Sequence, residues 1–273
     1  MSNEASNLSA RLRRFRTAYG EHRASEGRGI EKVSELLTLP YLATGPFAKQ
    51  WAVRARTFDR FVRTTLKERA KEVASRPITI LDLGAGSGWL CYRVVRAGHR
   101  AIAMDIRTDA IDGLAAGKAY HSHLPRRFSR VAASFDGIPL AAASVDIAVF
   151  NASLHYTLDL VAVIREACRV VTSGGRIAIL DSPFYANASA GDAMIDEKQR
   201  TGTMTFGDRA DDLLGLPFLE YLTPERLDNA VVGLSWQRHR VRYPLWYELR
   251  PLVARLERRR PPSRFDLWEA RVP

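Results

Sequence analysis

Apolar residues recur every three or four positions through the first part of the chain, with arginines and lysines between them. This spacing predicts amphipathic helices. Glycines and prolines between the apolar stretches divide residues 8–73 into about three helices, which end before Pro77. The apolar face of the first of these is formed by Leu8, Leu12, Phe15 and Tyr19. We therefore expect residues 1–76 to form a helical region distinct from the segment that follows.

From residue 78 onward, short apolar runs alternate with helical patterns. Five strands are predicted at 78–83, 100–105, 128–133, 145–150 and 176–181. Helices are predicted between them at 88–97, 109–120 and 158–171, with Gly174 and Gly175 closing the last one. Strands that are apolar throughout and separated by helices indicate a parallel sheet covered on both faces. Two later strands, at 235–241 and 265–272, bring the sheet to seven strands, and 243–260 is predicted to be helical.

The alternation stops after Pro183. Residues 184–217 are rich in Asp, Gly and Ala and predict an insertion in a main domain of residues 77–273. Within it, Met194, Met204 and Phe206 can form an apolar wall for a ligand, although a plain packing role explains them equally well. Thr223 followed by Pro224 predicts the start of another helix.

Composition narrows the class of protein. The 273 residues are 46% hydrophobic and 26% charged, which is typical of a globular protein. No apolar run approaches the roughly 20 residues that span a bilayer, so no membrane span is predicted. The two cysteines, Cys91 and Cys168, cannot form a disulfide framework or a cysteine zinc site. We expect buried, reduced thiols in a cytoplasmic protein without a metal.

The net charge of +11 lies in the flanks. Residues 1–76 and 231–273 carry the excess of basic side chains, whereas 77–230 is slightly acidic. Basic flanks can attract nucleic acid, an anionic membrane surface or an acidic substrate. Solvated arginine-rich helices explain the same charge, and they are the favoured interpretation.

A glycine-rich loop follows the first predicted strand. Residues 82–88 read Asp-Leu-Gly-Ala-Gly-Ser-Gly, and the next strand ends at Asp105. Glycines let the chain turn sharply and let a ligand approach the backbone, and a carboxylate after the second strand can accept both hydroxyls of a ribose. The G-x-G-x-G spacing differs from the G-x-G-x-x-G that holds a dinucleotide. The loop therefore predicts a site for a nucleoside-containing cofactor.

The ordered motifs resemble the class I S-adenosylmethionine-dependent methyltransferases, in particular their small-molecule branch. The resemblance rests on residues 80–88, 103–106, 135–140, 144–156 and 169–176. It implies an α/β, Rossmann-like fold, in which a mostly parallel seven-stranded sheet has helices on both faces and an N-terminal helical lid. It also implies S-adenosyl-L-methionine as the cofactor.

The resemblance assigns cofactor contacts residue by residue. Gly84 and Gly86 pack against the amino-acid part, Asp82 contacts its ammonium, and Asp105 holds the ribose. Phe135 flanks the adenine, whereas the position that often bonds the adenine amino group falls on Ser134 or Asp136. Asn151 lines the methionine end. The predicted set is completed by Ala85 and Ile106 and by three lid residues, Tyr19, Trp51 and Arg54.

Each of two lid residues, Trp51 and Arg54, has a possible role in ligand binding, and Trp51 also has a possible structural role. Trp51 and Arg54 are three positions apart, so both can face one cleft, and Arg54 can pair with the methionine carboxylate. Trp51 can equally well dock its helix onto the core.

Three residues after the later strands are candidates for catalysis. His155 and Tyr156 follow the fourth strand, and Asp181 ends the fifth, at the edge of the sheet where α/β sites lie. His155 has a suitable ordinary pKa for a base. Support of the loop for His155, and a turn role for Asp181, are the alternatives.

The sequence predicts an enzyme that methylates a small-molecule acceptor on oxygen, nitrogen or carbon. An RNA or protein methyltransferase that uses the basic flanks is the first alternative, and nucleic acid is possible but not favoured. A non-catalytic S-adenosylmethionine-binding protein is another, and a nicotinamide-dependent oxidoreductase is disfavoured by the glycine spacing. The pattern leaves the oligomeric state open.

Overall fold

A seven-stranded sheet forms the centre of the computed structural model, which describes residues 2–29, 32–74 and 76–273 and the side chains from residue 6 onward. Five parallel strands stand in the order β3-β2-β1-β4-β5. They are β1 (Thr79–Leu83), β2 (Arg100–Asp105), β3 (Ser129–Ala132), β4 (Val145–Asn151) and β5 (Val171–Leu180). The edge beyond β5 is antiparallel and consists of β7 (Leu267–Arg271) and then β6 (Trp236–His239). The predicted α/β, mostly parallel seven-stranded sheet is confirmed.

The strand order reverses between β1 and β4, because the chain proceeds outward from β1 to β3 and then returns to the other side of β1. In open α/β sheets, ligands bind at the carboxyl ends of the strands that flank such a reversal. The fold therefore places the residues after β1, β2 and β4 around one candidate cleft.

Helices cover both faces of the sheet. Phe61 from α3 (Ala48–Phe61) and Trp89 from α5 (Trp89–Arg96) share one core with Ile80 of β1. On the opposite face, α6 (Leu160–Val170) contributes Ile164 to a second core with Phe150 of β4. Strands buried on both sides explain why their sequences are apolar throughout.

The N-terminal region is helical as predicted. Its elements are α1 (Ser2–Ser25), α2 (Val33–Thr38) and α3, which continues through a π-helical turn (Val62–Leu66) into α4 (Lys67–Glu72). In α1, the predicted apolar face packs through Phe15 against Leu213 and Phe218 of the later chain. None of the helices among the described residues is long and apolar enough to cross a membrane.

Two predicted elements between the strands are wrong. Instead of a helix at 109–120, a 3-10 segment covers Ala116–His123, because the Asp109 carboxylate accepts the backbone N–H groups of Ile111, Asp112 and Gly113 and closes a turn. Gly174 and Gly175 do not close α6, which ends at Val170, but lie inside β5. There the pairing register with β4 shifts.

The segment 184–217, for which the sequence predicts only an insertion, is largely helical. The insertion folds into α7 (Ala188–Phe206) and α8 (Ala210–Leu214), and Thr223 caps α9 (Pro224–Asp228) as predicted. The single helix expected at 243–260 is two short ones, α10 (Leu245–Glu248) and α11 (Arg250–Leu256). Leu249 separates them, and Pro251 in the first turn of α11 lacks the N–H that a continuous helix would need there.

Candidate active site

A cleft of about 250 Å³ opens at the carboxyl ends of β1, β2 and β4. Its floor is the loop after β1, and its roof is formed by α1 and α3. Thirteen of the sixteen predicted site residues line it: Tyr19, Trp51, Arg54, Gly84, Ala85, Gly86, Asp105, Ile106, Ser134, Phe135, Asp136, Asn151 and Tyr156. Asp82, His155 and Asp181 do not line it. The fold thus brings together residues that are separated by more than a hundred positions in the sequence.

The loop after β1 requires glycine. Gly84 has φ +77°, and a Cβ atom there would lie 2.4 Å from the Cβ of Ser153. Any larger residue would collide with the loop after β4 and strain the backbone. The N–H groups of Gly84 and Ala85 both donate to the carbonyl of Met104, at 2.8 and 3.0 Å. These bonds fix the loop against β2 and leave its outer surface to the cleft.

Asp105 fastens this loop from the end of β2. Its Oδ2 accepts the N–H of Gly86 at 2.8 Å, and its Oδ1 accepts the N–H of Arg107 at 2.7 Å. Burial raises the pKa of the carboxyl, and the two backbone donors oppose that shift. Each carboxylate oxygen has two lone pairs, so both oxygens keep acceptor capacity toward the cleft.

Asp82 lies beneath the loop rather than in the cleft wall. The residue is fully buried, Oδ1 has no hydrogen-bond partner among the described residues, and the Cys91 thiol lies 3.8 Å from Oδ2. Burial raises the pKa of Asp82 to about 8, and the nearby Asp105 adds to the shift. The predicted contact with an ammonium group therefore stays a prediction.

The segment after β3 forms another wall. Ser134, Phe135 and Asp136 all line the cleft, and the Phe135 ring packs edge-on against Phe150 with its centroid 5.9 Å away. Ser134 and Asp136, the two positions considered for the contact with the adenine amino group, can therefore both reach a ligand in the cleft. Asn151, at the end of β4, has a buried Oδ1 without a partner in the described part of the chain.

The three lid residues meet at the roof. Trp51 both lines the cleft and docks its helix, since its ring packs edge-on against Trp89 at a centroid distance of 5.9 Å. The Arg54 guanidinium lies 5.1 Å from the Trp51 ring centroid, and its closest carboxylate is Asp181, with Nε–Oδ2 at 3.9 Å. Burial lowers the pKa of Arg54. Among the described residues, the guanidinium therefore has no tight ionic partner of its own.

Besides Arg54, two basic residues that the sequence did not predict, Arg23 and Arg107, lie beside Tyr19. Arg23 donates to the Asp112 carboxylate at 2.6 Å, and Arg107 approaches the same oxygen at 3.4 Å. Both guanidinium groups lie over the Tyr19 ring, 5.9 and 5.3 Å from its centroid. Arg23 follows Tyr19 by one helical turn, which is the signal that could have found it. Nothing local in the sequence marks Asp112.

The catalytic candidates have different surroundings. Tyr156 lines the cleft, its hydroxyl donates to Tyr19 at 3.3 Å, and burial raises its pKa well above the ordinary value. His155 packs against the Tyr156 ring, and burial lowers the pKa of its imidazole to about 3.

Asp181 has φ +52° and is buried, and neither of its carboxylate oxygens has a hydrogen-bond partner among the described residues. Burial raises its pKa, and the Arg54 charge opposes that shift. The catalytic roles of these three residues stay predictions.

The apolar residues of the insertion do not line the cleft. Met204 is 92% exposed, whereas Phe206 packs against His22 with ring centroids 5.0 Å apart and Met194 packs beside Tyr221. The packing alternative therefore describes Phe206 and Met194. Within the residues described, no group of His, Cys, Asp and Glu is arranged to hold a metal ion.

Comparison with protein families and curated proteins identifies the central part of the chain. A family model described as a methyltransferase domain matches residues 81–179. A malonyl-[acyl-carrier protein] O-methyltransferase from Methylococcus capsulatus is 31% identical over 160 residues, which cover 52% of this chain and 56% of that protein. An uncharacterized methyltransferase from Mycobacterium tuberculosis is 35% identical over 101 residues, covering 37% of this chain and 38% of the relative. The chain thus spans about half or less of the length of these relatives.

Solved structures share the fold at low sequence identity. The MccD protein superposes with a TM-score of 0.55 at 14% identity, covering 80% of this chain and 96% of that one. The CurJ carbon methyltransferase gives a TM-score of 0.54 at 16% identity, with 88% and 59% of the two chains covered. The [4+2]-cyclase SpnF gives 0.51 at 20% identity, with 77% and 80% covered. Residues 81–179 are therefore similar to a methyltransferase domain, and the chain shares its Rossmann-like fold with these solved structures.

Proposed function

We propose that the chain binds S-adenosyl-L-methionine in this cleft and transfers its methyl group to a small-molecule acceptor. The observation that carries the proposal is that the glycine loop after β1 and the Asp105 carboxylate face one cleft, at the reversal of strand order and under a helical roof. The methyltransferase domain match and the methyltransferase relatives support it.

The residues present fit the cofactor at its nucleoside end. Each Asp105 oxygen already accepts one backbone N–H and can accept a ribose hydroxyl besides. Close approach of a ligand to the backbone is possible at Gly84 and Gly86, which have no side chain to intervene. Phe135 offers a ring face or edge for a nucleobase.

The methionine end also has fitting partners. Arg54 lines the cleft, and its closest carboxylate is at 3.9 Å, so the guanidinium is available to a ligand carboxylate. Arg23 and Arg107 also line the cleft, but they already share Asp112. Asn151 also lines the cleft, and its Oδ1 has no hydrogen-bond partner among the described residues. This orphaned polar atom is the kind of group that a bound ligand satisfies.

When bound, the cofactor supplies a methyl group on a sulfonium, which needs no further activation. The work of the chain is then to orient the acceptor and exclude water, and correct positioning accounts for most of the rate. Phe15, Tyr156 and Phe218 form an aromatic cluster along the cleft, with the Phe15 and Phe218 ring centroids 4.7 Å apart. This apolar wall keeps water from the reacting atoms.

Titration of the nearby groups limits the choice of acceptor. With a pKa of about 3, the His155 imidazole is neutral at physiological pH and is a weak base. The raised pKa of Tyr156 keeps the phenol protonated, so it can donate a hydrogen bond but cannot remove a proton. We therefore favour an acceptor that needs no strong base, such as a carboxylate or a neutral amine. The relative from Methylococcus capsulatus is named for a malonyl acceptor, which is consistent with a carboxylate.

Size and charge favour a small molecule over RNA. The cleft holds about 250 Å³ beneath α1, and two of the arginines beside it are paired with carboxylates, Arg23 with Asp112 and Arg107 with Asp109. A site for an RNA strand would need an open groove with unpaired cations along the backbone.

Calorimetric titration with S-adenosylmethionine and S-adenosylhomocysteine tests the proposal. We expect Asp105→Asn to weaken binding about 100-fold, because a charge-assisted bond to the ribose is lost. The matched control is Asp228→Asn, an exposed carboxylate outside the cleft, which should bind as the parent protein does. Unchanged affinity in a folded Asp105→Asn protein would contradict the site. Formation of S-adenosylhomocysteine with a panel of carboxylates, amines and phenols then tests methyl transfer itself.

A further inference from the structure

The helices α10 and α11 expose an unusual amount of apolar surface. Almost half of the exposed large apolar residues in the described part of the chain fall within twelve consecutive positions. We call this the apolar ridge, and it consists of Leu245, Trp246, Leu249, Leu252, Val253 and Leu256. Leu245 and Leu256 are 73% and 76% exposed. A contiguous apolar surface of this kind marks an interaction site rather than ordinary solvent-facing helix.

The ridge is held in place from its inner side. Tyr247 is buried in the core that also contains Phe61, and its hydroxyl accepts the N–H of Phe265 at 3.2 Å. Glu248 pairs with Arg264 at 2.9 Å, and Arg250 lies over the Tyr247 ring at 4.4 Å. Tyr247 and the Glu248–Arg264 pair thus anchor α10, and Arg250 holds the start of α11, while the leucines are exposed.

Exposed arginines flank the ridge along the chain. Arg240 and Arg242 precede α10, and three more follow within α11 and its end, at Arg255, Arg258 and Arg259. The acidic residues in the same stretch are Glu248, paired with Arg264, and Glu257, paired with Arg259 at 3.3 Å. The surface therefore combines protruding aliphatic side chains with a net positive rim.

We propose that the apolar ridge docks on an anionic lipid surface. Leucines at three-quarters exposure stand away from the protein and can insert at the boundary between headgroups and acyl chains, while the arginines contact lipid phosphates. A second copy of the chain is a poor occupant, because a two-fold contact through the ridge would bring the two sets of arginines together. Nucleic acid would match the charge but would leave the leucines without an apolar partner. The proposal is independent of the proposed function.

Co-sedimentation of the full chain with vesicles tests the proposal. We expect binding to mixed phosphatidylglycerol–phosphatidylcholine vesicles, reduced by added salt, and little binding to phosphatidylcholine alone. Leu252→Ser combined with Leu256→Ser should weaken the partition about 100-fold, roughly tenfold for each leucine withdrawn. Arg255→Gln combined with Arg258→Gln should weaken it about fivefold per charge and flatten the salt dependence.

The matched control is Val232→Ser. Val232 is fully exposed, and its neighbour Val231 packs against the core on the other face of the sheet from Tyr247. It should leave vesicle binding unchanged. All substitutions are at exposed positions, and thermal unfolding checks that each variant is folded.

Three outcomes would overturn the proposal. They are no binding to the anionic vesicles, equal binding to both kinds of vesicle, and equal loss in the ridge and control variants. A dimer that light scattering detects and that the Leu252→Ser, Leu256→Ser variant dissociates, without vesicle binding, would instead assign the ridge to a second copy.

Discussion

Asp82 carries a carboxyl group buried beneath the loop after β1, and burial of an ionisable group without a partner is energetically unfavourable. Asp82 is fully buried, and one of its oxygens has no partner in the described structure. Burial favours the neutral acid, which raises the pKa of Asp82 to about 8. An unfolded aspartate ionises near pH 3.9. Between these two values the folded state holds a proton that the unfolded state has released.

This difference fixes the sign of a pH effect on stability. Where the folded state binds more protons than the unfolded state, the free energy of unfolding falls as the pH rises. Asp82 therefore costs the ligand-free protein increasing stability from about pH 4 to about pH 8. We expect Asp82→Asn to remove this cost. Its stability relative to the parent should grow with pH by up to about 1.4 kcal/mol per unit.

Urea unfolding of both proteins across this pH window measures the difference. Asp228→Asn, the same change at an exposed position, is the control. A constant offset for Asp82→Asn would mean that the buried carboxyl is ionised throughout. Taking the difference between variant and parent removes the contributions of the other titrating groups.

Helix α1 connects two parts of the cleft rim, the loop after β2 and α8. Arg23 near its end pairs with Asp112 in the loop after β2, and Arg14 pairs with Asp212 of α8 at 3.2 Å. Between them, Phe15 is buried against Phe218. The helix is thus fastened at both ends of the cleft, and its release would open the roof.

Phe15→Ala should loosen this roof. Removal of a buried aromatic side chain costs about 3–5 kcal/mol in a core. Most of that cost should appear here as local opening of α1, because the ring belongs to the cluster with Leu213 and Phe218 and not to the two cores of the sheet. We expect protection of the α1 amides from hydrogen exchange to fall about 100-fold, with the strands unaffected. Val33→Ala on α2, an exposed position, is the control. Equal loss of protection in α1 and the sheet would contradict a local roof.

Local signals explain which elements the sequence predicts well. The strands β1 and β2, the glycine loop and Asp105 all follow from short apolar runs and residue types within about thirty positions. The turn at Asp109 was missed because one side chain that caps three N–H groups outweighs a weak helical pattern. The pairing of Arg23 with Asp112 joins residues 89 positions apart, so only the fold reveals it.

For the whole molecule, the helices before residue 76 and the sheet share a core. Phe61 of α3 is fully buried in one cluster with Ile78 and Ile80. Polar contacts join the same parts, since the Asp146 carboxylate at the start of β4 accepts from Arg69 at 3.2 Å and from Arg76 at 2.7 Å. The sequence predicts a domain boundary between residues 76 and 77. Because the helices and the sheet share a core, a substitution in that core tests whether the two regions unfold separately.

Phe61→Ala decides whether the chain unfolds as one unit. If the helices and the sheet depend on the same core, the substitution should lower the free energy of unfolding by about 3–5 kcal/mol and keep a single transition. Circular dichroism and tryptophan fluorescence, monitored together during urea unfolding, should report coincident curves. The control Leu245→Ala alters a side chain that is 73% exposed and should change stability by less than about 0.5 kcal/mol. Two separate transitions, of which Phe61→Ala shifts only the first, would contradict the shared core. They would establish residues 1–76 as an independent helical domain.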